Sequence, residues 1–214
     1  MATNWTAFYP YVVPSLPGAP LPLVDHHIRE AVREFCERSL FWRANLTPID
    51  LIGGTHSYPL TSPTGARVHR VNRVEILNDA VELTESNEGT LDILDPLWRT
   101  GSGDMDYYLM VSPIVLRIVY TPTAALVGGL KVSAALKPLA NATDLQNDDI
   151  VEDHAADIAS GVFGKLMAIP KKPYTDLVNA VMHEHKFDAA CGAAAVRRMR
   201  DFTRRPARVK GYDR

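Results

Sequence analysis

The apolar residues of this chain change period twice. They recur at helical spacing up to Trp42, alternate with polar residues between Thr47 and Pro138, and return to helical spacing from Asn147. An alternating segment cannot bury one side as a helix, and a segment of period 3.6 cannot do so as a strand. The double switch therefore predicts a helical core interrupted by a β insertion.

Pro22 suits a first helical turn. Val24, Ile28, Ala31, Val32, Phe35, Cys36, Ser39 and Trp42 follow at one-faced spacing, with charged residues between them, which predicts a helix over about 22–42. Thr55 to Leu60, Val68 to Leu77, Ala80 to Leu83, Tyr107 to Val111, Ile114 to Tyr120 and Leu130 to Leu136 read as short strands bounded by Gly, Pro, Asn and Ser. Asn78-Asp79 suits a two-residue hairpin turn. Thr90, with Leu91, Ile93, Leu94 and Trp98 after it, marks a short helix that stops near Pro96 or the Gly101-Ser102-Gly103 loop. After Asn147 and Asp148, which can cap, a stripe of Val151, Ala155, Ile158, Ala159, Val162, Phe163, Leu166 and Met167 predicts a helix over about 147–169, ended by Pro170. A tight connection leads to a helix over about 174–202. Leu177, Val178, Val181, His185, Ala189, Gly192, Ala195, Val196 and Met199 are expected to face inward.

The fold class expected is α+β: an antiparallel helical bundle (about 22–42, 147–169, 174–202) with an inserted small antiparallel β domain and a flexible basic C-terminal tail. The domains are 22–46 with 139–202 for the bundle and 47–138 for the insertion. Residues 1–21 are expected to form an extended arm, because Pro10, Pro14, Pro17, Pro20 and Pro22 deny the backbone both helix and ladder hydrogen bonds. Residues 203–214 form the tail.

Charge is distributed unevenly. Arg197 to Arg214 carries eight basic residues against two acidic, a net of +6, so the preceding 196 residues, with 15 basic and 23 acidic, carry −8. Beyond Phe202 this end has no apolar periodicity with which to close a core, and it is expected to order only on a partner. The longest apolar run is far short of a membrane span, and the first twenty residues lack a basic-then-apolar leader, so the protein is expected to stay in the compartment where it is made. Cys36 and Cys191 lie on apolar stripes and are expected to be free core thiols.

Enzymatic chemistry finds few candidates. His183 and His185, two apart on a helix, point to nearly opposite sides, and adjacent His26-His27 is equally poor for one ion. Cys36 and His27 are roughly 13 Å apart along one helix, too far for a thiol–imidazole pair. Gly53-Gly54 precedes a strand, and Gly128-Gly129 is read as a hairpin-like turn, so neither opens a helix as a phosphate loop does. The acidic cluster Asp148, Asp149, Glu152, Asp153 and Asp157 reads as helix N-terminal charge and a solvated face. No catalytic residue, cofactor or metal is expected.

The stretch Pro17-Gly18-Ala19-Pro20 followed by Val24 to Arg43, the strands Leu116 to Pro122 and Val132 to Pro138, the Ile158-Ala159-Ser160-Gly161 helix and the Met167 to Tyr174 turn together resemble the head-to-tail adaptor proteins of tailed phages. These are related to the tail tubular protein of short-tailed phages, and the likeness runs in the family's order from about 15 to 200. The resemblance implies a non-enzymatic virion protein of the neck. It would form a ring, commonly of twelve copies, bound to the portal and to a downstream tail or nozzle protein, with DNA passing through the lumen without sequence-specific binding and without membrane contact. It also implies a C-terminal segment that docks on the portal. Here that segment is Thr203 to Arg214, with Thr203, Arg204, Arg205, Pro206, Arg208, Val209, Lys210, Tyr212 and Arg214 as anchors by charge, contact area and position. The N-terminal arm, through Phe8, Tyr9, Tyr11 and Leu16, is the second expected contact, wrapping a neighbouring subunit. A tail-completion or terminator component and a small hydrolase remain as other readings.

Overall fold

The computed structural model describes residues 3–77 and 81–199. The helices are α1 (Tyr9–Val12), α2 (Leu21–Ser39), α3 (Glu88–Leu94), α4 (Asp149–Met167) and α5 (Leu177–Met199). The strands are β1 (Thr3–Asn4), β2 (Arg43–Asn45), β3 (Ile49–Leu51), β4 (Ser57–Pro59), β5 (Ala66–Ile76), β6 (Val81–Glu82), β7 (Thr84–Glu85), β8 (Tyr107–Ser112), β9 (Val115–Ile118), β10 (Leu126–Pro138) and β11 (Asp144–Leu145). They form three sheets, one a curled half-barrel. The expected fold class, a helical bundle carrying a small inserted β domain, is thereby corrected to a β-rich architecture. Five of the eleven strands, β1, β2, β3, β7 and β11, lie outside every stretch the alternation marks. Each is only two or three residues long, held by backbone pairing and too short to show a period.

The chain divides into two compact units, residues 43–137 and the segments on either side of them. In the outer, helical unit, α2 buries Val24, Ile28, Ala31, Val32, Phe35, Cys36 and Ser39 along one stripe. It ends at Leu40, which takes a left-handed conformation (φ 51°) and donates its N–H to the Cys36 carbonyl at 3.1 Å. On α4 the buried set is Ile150, His154, Ala155, Ile158, Ala159, Gly161, Val162, Phe163 and Leu166.

The extended N-terminal arm does not form. Residues 5–15 make three short helical turns, and Trp5, Phe8, Val12 and Leu16 are buried in the helical unit. The prolines do not prevent this: Pro10 and Pro14 each occupy a first helical turn, where the missing N–H has no partner to lose. Asn4 caps the first turn by accepting the Thr6 N–H at 3.0 Å, and the Trp5 indole donates to the Ala142 carbonyl at 3.0 Å.

The facing of α5 is corrected as well. Ala180, Phe187, Cys191 and Ala194 are buried, whereas Leu177, Val178, Val181, Val196 and Met199 are exposed. The reason lies on α4. A Cβ at Gly161 would come within 2.9 Å of the Phe187 ring, and one at Gly164 within 3.3 Å of the Glu184 nitrogen. Two glycines thus let α5 approach through its small residues and Phe187, and closeness of contact, not total hydrophobicity, selects the inner face.

In the β unit, β10 is the spine: it pairs antiparallel with β2 and β3 and lies between β2 and β5 in the strand order. Leu130, Val132, Ala134 and Leu136 are fully buried on one face, the alternation visible in the sequence. Gly128-Gly129 lies inside this strand, not in a hairpin turn. The register with β3 shifts between Leu126 and Leu130, Gly128 takes φ 61°, and the Asp50 carboxylate accepts its N–H at 2.6 Å. A second sheet, β4-β9-β8-β7, ends in a parallel β7–β8 pair. Asn78-Asp79 falls outside the described residues.

Candidate functional site

Within the helical unit, α2, α4 and α5 enclose a charged cleft of about 290 Å³ lined by Glu34, Arg38, Lys165, Glu184, Phe187 and Asp188, with Gly161 and Gly164 opening its wall. Each helix delivers its charges from the polar side of the stripe that packs the core. The Arg38 guanidinium donates to Asp188 at 2.6 Å and to Glu34 at 3.1 Å, and the Lys165 ammonium reaches Glu34 at 2.9 Å. Arg38 also lies 5.9 Å from the centre of the Phe187 ring. The Asp188 carboxylate raises the Arg38 pKa above its ordinary value. Half-exposed and mutually paired, these groups clamp three helices at their rim and offer a partner a mixed-charge surface.

Two thiols and a histidine are also buried in this unit. Burial raises both thiols, Cys191 to about 11, so neither carries thiolate at neutral pH. His154 is buried, its ring 4.6 Å from Phe35 and 4.8 Å from Phe41, with Nδ1 at 2.9 Å from Asp157 and Nε2 without a hydrogen-bond partner. The stripe of Val151, Ala155, Ile158 and their neighbours does not include it, although it lies one turn before Ile158 on the same face. Among the described residues no group of three or more His, Cys, Asp or Glu side chains is placed to hold a metal ion. No helix among them is long and apolar enough to cross a membrane.

Two histidines give the fold a pH dependence. Burial lowers the pKa of His27, against the opposing pull of Glu30, and likewise lowers that of His183, whose ring meets Phe163 edge-on at 5.0 Å. A lowered folded pKa means that the unfolded chain takes up protons first. The stability they contribute is complete above the ordinary value of about 6.5 and is lost as pH falls through the folded values. We expect the urea midpoint to fall as pH is lowered from 7 towards 5, and the His27→Gln/His183→Gln double variant to lose part of that slope. An unchanged slope would remove these two groups as its cause.

The arm residues chosen from the sequence do not form one outward surface. Phe8 and Leu16 are buried in their own unit, and Tyr9 donates its hydroxyl to Asp25 at 2.6 Å, so of the four Tyr11 alone is exposed. The reading of these four as a wrap on a neighbouring subunit is therefore withdrawn: their helical spacing closes a core instead. Thr203, Arg204, Arg205, Pro206, Arg208, Val209, Lys210, Tyr212 and Arg214 lie outside the described residues. What the structure adds is a set of solvent-facing apolar side chains in both units. Val178 is 81% exposed and Met199 69% on α5, while Ile93 is 86% and Val127 88% exposed in the β unit. No protein-family model matches this chain, and no curated protein matches it.

Proposed function

We propose that this chain is a structural virion subunit, an adaptor that forms a ring between the portal and the tail of a phage and encloses part of the path of the ejected DNA. The observation that carries the reading is the exposed apolar surface. Val178, Met199, Ile93 and Val127 face solvent, and assembly of copies into a ring would bury such side chains. The segments that resemble adaptor proteins, from the Pro17–Pro20 approach and the opening helix to the Met167–Tyr174 turn, supply the kind of assembly. The net charge of −8 before Arg197 suits a lumen that must let a phosphate backbone slide past, since attraction would hold it.

The test is attachment. Purified full-length protein is mixed with portal-bearing, DNA-filled heads and with isolated portal rings, and bound copies are counted by electron microscopy. Attachment as a ring is the expected result, and its absence overturns the adaptor reading in favour of a tail-completion component. Deleting residues 203–214 is expected to leave the circular dichroism spectrum unchanged and to abolish attachment. Unchanged occupancy by the truncated protein would move the docking element elsewhere on the chain.

A further inference from the structure

We draw no further inference here: the strongest candidate, the charged cleft of about 290 Å³ between α2, α4 and α5, belongs to the site already described, its Arg38 and Lys165 being paired with Glu34 and Asp188, and nothing in the structure shows what ligand it takes.

Discussion

Phe35→Ala is expected to lower the stability of the protein by about 3–5 kcal/mol in chemical denaturation. Phe35 is fully buried on α2, with the His154 ring at 4.6 Å and the Phe41 ring at 6.0 Å, so truncation removes one wall from a stack of three rings. His154 makes the loss hard to repair. Its Nε2 already lacks a partner, and the space left by the ring is lined by apolar side chains that cannot bind a water well. Phe35→Leu, which keeps most of the volume, is expected to cost about 1–1.5 kcal/mol. A loss under about 1 kcal/mol for the alanine variant would mean that the stack does not hold α2 to α4.

The corresponding residue of the β unit is Trp98, and Trp98→Ala is likewise expected to cost about 3–5 kcal/mol. It is buried with Leu91, Leu109 and Val119. Its indole donates to Asp92 at 2.8 Å, and the guanidinium carbons of Arg99 and Arg117 lie 4.4 and 4.8 Å from the ring. Arg99 also pairs with Asp92, which holds that carboxyl below its usual range, so one tryptophan orders two arginines and an aspartate. The neighbouring backbone is committed to this packing: Tyr120 takes φ 61°, donates to Asp95 at 2.5 Å, and fills the space a side chain at Gly101 would need. Trp98→Phe keeps a ring between the arginines and loses the indole donor, an expected cost of about 1–2 kcal/mol. Equal losses for Phe and Ala would show that the hydrogen bond, not the burial, carries the effect.

The parts of the fold legible in the sequence are those where one physical requirement acts alone. The α2 stripe is long, has charge on its other side and needs only 3.6-residue counting, and β10 needs only alternation. Where two requirements compete, the pattern misleads. On α5 both sides are apolar, and the choice between them was made by Gly161 and Gly164 on another helix, which no reading of α5 alone contains. In the N-terminal segment, counting prolines hid the spacing of Trp5, Phe8, Val12 and Leu16, although i, i+3, i+7 and i+11 is a helical interval. The charged cleft was invisible for a related reason. Arg38 and Asp188 are 150 residues apart, and nothing local marks either as the other's partner.

The pairing of β2 with β10 sets Arg43, the first residue of the β unit, opposite Ala135, two residues before its last, so the chain enters and leaves the unit on neighbouring strands. Neighbouring strands are only about 5 Å apart. For the helices on either side, the 95 residues from 43 to 137 therefore behave as a loop of a few residues once that unit has closed. A flexible loop of the full length would cost about 2–3 kcal/mol more to close than one of five residues. The insertion thus carries its own clasp. A module of this kind can grow, shrink or be exchanged at its far end without lengthening the path that α2 and α4 must span to find each other.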